Sequence, residues 1–210
     1  MILDTDVASM DRLFEVAKQA LEGGVGLIQL RDKNGTSDRI IKFSRKITAL
    51  LKRRIPFIIN DRVDLALAGG ADGVHIGQDD LPLPLARRLM GKNAIIGVSC
   101  QTFAQAKAAQ DGGADYIGFG STFKTLTKPE RKPMDLQLLA EVFSKIRVPV
   151  FAIGGINARN ILKLKERGVD RVAVCRDVCL AKNVKEAAQQ LNLLLSSCPC
   201  SCAIDGSCDT

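Results

Sequence analysis

Tryptophan is absent, histidine and tyrosine occur once each, and aromatic residues make up 4% of the 210-residue chain. A core that cannot rely on large rings must be aliphatic, and 46% hydrophobic residues suffice for one domain. No apolar run approaches the roughly eighteen residues of a membrane span. The start, Met1-Ile-Leu-Asp-Thr-Asp6, lacks the basic and apolar regions of a signal peptide, so the expectation is a soluble, cytoplasmic protein that does not engage membranes. The lone histidine, His75, has neither serine nor cysteine beside it, lies inside an apolar run, and reads as a strand or core residue rather than half of a nucleophile pair.

Also missing is a basic stripe interleaved with aromatics. The net charge is +7 and the pI about 9.1, but Lys and Arg are scattered along amphipathic segments, which argues against nucleic acid and for an anionic small molecule. Of seven cysteines, Cys100, Cys175 and Cys179 fall in apolar segments and read as free thiols. The other four crowd into residues 198–210, where the Cys-x-Cys-x-Cys spacing and the lack of histidine do not suit a zinc knuckle. The expected organisation is one domain over residues 1–197 and a disordered Cys-rich tail over 198–210. Oligomeric state stays open, a homo-oligomer included.

Short apolar runs recur, each followed by a helical stretch: Ile2-Leu3, Val25 to Leu30, Pro56 to Ile59, Gly73 to Ile76, Ala94 to Val98, Tyr116 to Phe119, Val148 to Ile153 and Arg171 to Cys175. Amphipathic spacing marks helices over Asp38 to Leu51 and Ala104 to Asp111, with a closing helix over Val184 to Leu195. Eight such alternating units predict an α/β fold, a single (β/α)8 TIM barrel with short loops. An open doubly wound sheet needs no eighth strand and usually carries a Gly-rich fingerprint after its first, which Asp4-Thr-Asp6 is not. Gly23-Gly24, Gly69-Gly70-Ala71-Asp72, Gly112-Gly113-Ala114-Asp115 and Gly168-Val169-Asp170 repeat as left-handed glycine turns on the face opposite the chemistry.

Polar residues close strands two to eight on the other rim. Asn60-Asp61-Arg62 and Asp79-Asp80 end neighbouring strands, so Asp61 and Asp80 can share one hard cation; alternatively, Asp61 caps the helix that begins at Arg62. Gly154-Gly155 precedes a helix expected near Ala158, at the position where barrels hold phosphate. Thr125, Thr127 and Lys128 sit on a longer loop after strand six, suited to a second anion and to a lid.

Gln29-Leu-Arg-Asp-Lys33, Asn60-Asp-Arg62, Asp72-Gly-Val-His-Ile-Gly-Gln-Asp-Asp-Leu-Pro82, Gly97-Val-Ser99, Thr125-Leu-Thr-Lys128 and Ala152-Ile-Gly-Gly-Ile156, in order, resemble the thiamine-phosphate synthase family. That resemblance implies a transferase that joins an aminopyrimidine diphosphate to a thiazole phosphate, releasing diphosphate. It implies that Gln29, Arg31, Lys33, Asn60, Ser99 and Lys128 hold the pyrimidine diphosphate, with Arg31, Lys33, Ser99 and Lys128 closest to the chemistry. Asp61 and Asp80 would bind Mg²⁺. Thr125, Thr127, Gly155 and the chain at Cys175 and Arg176 would hold the thiazole phosphate. The alternatives are a thiazole tautomerase-like isomerase of related fold and a phosphate-binding barrel without catalysis. The chain departs from the family's usual pattern at Gly120-Ser121, at Pro133-Met-Asp135 and at Arg176-Asp177, where a small residue is usual.

Overall fold

The structure, a computed structural model, describes residues 1–127 and 130–197; the expectations placed on Lys128 and on the tail 198–210 lie outside the described residues. Its strands are β1 (Ile2–Asp4), β2 (Ile28–Arg31), β3 (Phe57–Asn60), β4 (Gly73–Ile76), β5 (Ile95–Cys100), β6 (Tyr116–Phe119), β7 (Val150–Ile153) and β8 (Val172–Ala173). Between and after them run α1 (Met10–Glu22), α2 (Ser37–Leu51), α3 (Val63–Gly69), α4 (Leu83–Met90), α5 (Phe103–Asp111), α6 (Leu136–Lys145), α7 (Ile161–Lys165), α8 (Arg176–Cys179) and α9 (Val184–Ser196). All strand pairs are parallel, in the order β1 to β8. The Ile2 N–H donates to the Val174 carbonyl at 2.8 Å and brings the two ends of the sheet together, completing the (β/α)8 barrel.

Local chemistry explains the helices. Ser9 and Thr36 accept from the Arg12 and Arg39 N–H groups, and Thr102 forms a reciprocal capping box with Gln105. On α2, Ile40, Phe43, Ile47 and Leu51 recur at helical spacing and are buried against the barrel. The glycine repeat turns as expected: Gly24, Gly70, Gly113 and Gly168 hold φ of 84°, 70°, 85° and 78°. The aspartates of that repeat have a second role. Asp72 accepts from the Phe57 N–H at 2.8 Å and Asp115 from the Ile96 N–H at 2.7 Å, each clipping the start of a neighbouring strand; Asp170 pairs with Arg171 instead.

Four expected boundaries need correction. The second strand starts at Ile28, because the Val25 N–H is spent on the Ala20 carbonyl in closing α1. The eighth strand is two residues rather than five, because the chain turns at Cys175 (φ −125°, ψ −87°) into α8. The helix expected near Ala158 begins at Ile161, after a turn in which the Asn157 N–H donates to the Asn160 side-chain oxygen at 2.9 Å. Asp61 does not cap α3: Arg62 stands at the cap, Asp61 adopts φ 63°, and its carboxylate turns to Lys33.

Candidate active site

A cavity of about 410 Å³ opens at the carboxyl ends of the strands. Of the residues singled out from sequence, Gln29, Arg31, Asn60, Ser99, Thr125, Thr127, Gly155, Cys175 and Arg176 line it. Lys33, Asp61 and Asp80 do not line it; they stand together at its edge beside Asn60. Strand register explains the grouping: Asp4 is level with Arg31 and Asn60 with His75, so residues that end successive strands meet on one rim.

At that edge Lys33 pairs with the Asp61 carboxylate, and Asp80 accepts from the Gly77 N–H at 2.7 Å. The Asp61 N–H donates to the His75 carbonyl at 2.7 Å, which fixes the strained turn that aims its side chain. Burial pushes the Asp61 carboxyl above its ordinary value, the Lys33 ammonium pulls it back, and the neighbouring Asp80 pushes it up again. Two neighbouring carboxylates, one of them paired with a lysine, suit a divalent cation with hard oxygen ligands. No group of three or more His, Cys, Asp or Glu gathers among the described residues, so such a cation would draw its remaining ligands from substrate phosphate and water.

Arg31 is held in a way the sequence reading missed. Its Nη1 lies 2.9 Å from Asp4 and 2.8 Å from Asp6, and Asp4 is fully buried. An acid pair at the end of the first strand, like Asp79-Asp80 after the fourth, was the available signal. The clamp fixes the guanidinium through one nitrogen and leaves its planar fork directed by the protein rather than by solvent.

On the far side, Gly154 and Gly155 hold φ of 107° and 66°, and a side chain at Gly155 would collide with the Lys124 carbonyl. Thr122 and Phe123 donate to the carbonyls of Ile153 and Gly154 at 2.8 and 2.9 Å, so the loops after β6 and β7 pack as one piece; the Gly120-Ser121 peptide within it is cis. The Gly155 and Ile156 N–H groups make no hydrogen bond to a described residue, and Arg176 forms no ion pair among the described residues, Asp177 included. Burial raises the Asp177 carboxyl above its ordinary value, and the Ala158 backbone partly offsets that rise. Backbone donors from a Gly-rich turn, together with a guanidinium that pairs with no described carboxylate, suit an anion.

The floor was misjudged in one respect. His75 is buried in β4 as expected, yet it lines the cavity and joins Ser99 Oγ (2.9 Å) to Tyr116 Oη (3.0 Å). The match to known proteins follows this geometry. The thiamine monophosphate synthase family (TMP-TENI) matches residues 1–178. The thiamine-phosphate synthase of Clostridium tetani is 40% identical over 192 residues, covering 91% of this chain and 92% of that protein. That of Shouchella clausii is 42% identical over 179 residues, covering 84% and 86%. Among solved structures, thiamine phosphate pyrophosphorylase from Pyrococcus furiosus superposes with a TM-score of 0.83 at 34% identity, covering 92% of this chain and 93% of that one. This eight-stranded parallel barrel, matched over nearly its whole length by these relatives, belongs to the thiamine monophosphate synthase family.

Proposed function

We propose that this chain is a thiamine-phosphate synthase that condenses an aminopyrimidine diphosphate with a thiazole phosphate, forming thiamine phosphate and diphosphate. The observation that carries the reading is one rim with two groups of residues suited to anions of different chemistry, one around the cavity and one reaching its edge. Lys33, Arg31 and Asn60 beside Asp61 and Asp80 suit a diphosphate with its divalent cation; Gly155, Ile156 and Arg176 suit a phosphate monoester. A tautomerase of the same fold would have no use for the lysine and carboxylate edge.

Asp61 and Asp80 are the residues that would hold Mg²⁺, which when bound supplies charge neutralisation at the departing diphosphate. Arg31, fixed by Asp4 and Asp6, and Lys33, shared with Asp61, add positive charge where negative charge builds as the carbon–oxygen bond of the pyrimidine methylene breaks. The thiazole nitrogen then captures that carbon, and no protein nucleophile is needed. Thr125 and Thr127, on the loop over the cavity, and Gly155 hold the thiazole phosphate so that its ring nitrogen faces the reacting carbon. Lys128 adds a further cation on the same loop, as the sequence motif implies.

The reading is tested by incubating the purified chain with both substrates and Mg²⁺ and resolving the products chromatographically. Thiamine phosphate should form only when all three are present. A chain that leaves both substrates unchanged, or that only isomerises the thiazole, would refute it.

A further inference from the structure

The cavity floor holds a chain of four polar side chains running from β2 to β5. Tyr116 Oη lies 3.0 Å from His75 Nδ1 and His75 Nε2 lies 2.9 Å from Ser99 Oγ, with the Gln29 side chain beside the Tyr116 oxygen. Gln29, His75 and Tyr116 are each at most 6% exposed. Two glycines shape the slot. A Cβ at Gly97 would run into both the Tyr116 ring and His75 Nδ1, and one at Gly118 would come within 3.2 Å of His75 Cε1. The Tyr116 ring in turn packs edge-on against Phe151 at 5.6 Å between centroids. The two glycines leave room for the imidazole, and the bonds at its two ring nitrogens hold it in one orientation.

Hydrogen-bond direction follows from acidity. A phenol is a better donor than a neutral imidazole N–H, and an imidazole nitrogen is a better acceptor than a phenolic oxygen, so the Tyr116 proton points to His75 Nδ1. The neutral ring then carries its own proton on Nε2 and gives it to Ser99 Oγ. Burial pushes the Tyr116 phenol up, and Gln29 counters it, as an amide N–H donating to the phenolic oxygen does. Gln29 lines the same cavity and has a carbonyl oxygen to offer it, and Ser99, accepting from His75, has its hydroxyl proton left for that space.

Resting on the synthase reading above, we infer that His75 is a positioning residue that, held by Tyr116, turns Ser99 into a hydrogen-bond donor and pairs it with the acceptor Gln29, so that the floor selects amino- over oxo-pyrimidines. An aminopyrimidine edge offers a ring nitrogen that accepts beside an exocyclic amine that donates. The oxo analogue in its lactam form reverses both, placing donor against donor and acceptor against acceptor. Sites that match substrate hydrogen bonds in this way discriminate strongly, because a mismatched buried group is left unpaired.

His75 is the only histidine, so uniform ¹⁵N labelling gives a single imidazole whose two-bond nitrogen–proton correlations report its tautomer without substrate. The expected result is one neutral Nε2–H form in the wild-type chain, lost in Tyr116→Phe. An Nδ1–H form, or a mixture in the wild type, would overturn the relay even if the chain proves to be a synthase. With the amino- and oxo-pyrimidine diphosphates compared as substrates, wild-type kcat/KM should favour the amino compound by about 100-fold or more. That ratio should fall about tenfold or more in Tyr116→Phe and His75→Phe, with partial rescue in His75→Gln, whose amide N–H still reaches toward Ser99. An unchanged ratio in both Phe variants would overturn the inference. The tautomer is read without turnover, so failure of the relay and failure of the synthase reading are told apart.

Discussion

Asp61 holds φ 63°, a conformation that few residues with a side chain adopt, and spends it on aiming a carboxylate at Asp80 and Lys33. Its raised pKa gives the sign of a pH effect. The folded state binds the Asp61 proton more tightly than the unfolded chain, so its carboxylate costs nothing below the ordinary carboxyl range. The cost sets in as pH rises through that range and is complete above the raised value. A cation between the two acids removes that cost. Affinity for Mg²⁺ in the presence of diphosphate should therefore weaken on acidification from pH 7 to pH 5 by more than an ordinary carboxylate pair would produce, a difference that titration calorimetry measures. Asp61→Asn should abolish Mg²⁺-dependent turnover yet leave stability within about 1 kcal/mol, since the lost ion pair with half-exposed Lys33 is offset by relief of the repulsion from Asp80. A variant that unfolds, or that keeps full turnover at limiting Mg²⁺, would contradict that assignment. At this scale the placement of Asp61, Asp80, Arg31 and Gly155 on one rim was legible from residue type and position at strand ends. The clamp of Asp4 and Asp6 on Arg31 and the His75 bridge were not, because each depends on which strands become neighbours around a closed sheet.

The elements show the same division. Helices with strong caps and regular apolar spacing, such as α2 and α9, came out within a residue of the expected bounds. The ends of β8 and the start of α7 did not, because side-chain hydrogen bonds and one backbone turn, rather than hydropathy, decide them. The glycine repeat was read as turns alone, whereas its aspartates hold neighbouring strands in place. Asp72→Ala removes the acceptor of the Phe57 N–H and should cost about 1–3 kcal/mol. At this chain length that lowers Tm by about 2–4 °C per kcal/mol. Because Asp72 lies at the end of the barrel opposite the cavity, kcat should stay at the wild-type value. An unchanged Tm accompanied by a lost kcat would contradict this separation of a stable face from a reactive one.

Across the whole molecule, the fold was legible because eight apolar runs alternate with helical segments at spacings that only a closed parallel sheet uses completely. No helix among the described residues is long and apolar enough to cross a membrane, and the net charge of +7 suits two anionic substrates. Barrels of this kind concentrate chemistry on one rim, and the Gly155 turn lining the cavity and the Lys33, Asp61 and Asp80 group at its edge stand on that rim here. The account therefore requires that breaking the pyrimidine diphosphate be tied to capture by the thiazole, rather than to water. The most direct test is diphosphate release followed in real time by a coupled enzyme assay, with the pyrimidine diphosphate and Mg²⁺ held constant and the thiazole phosphate added or omitted. One diphosphate released for each thiamine phosphate formed, with little release until the thiazole phosphate is added, is the result expected. Release at the same rate without the thiazole phosphate, or none with both substrates and Mg²⁺ present, would contradict it.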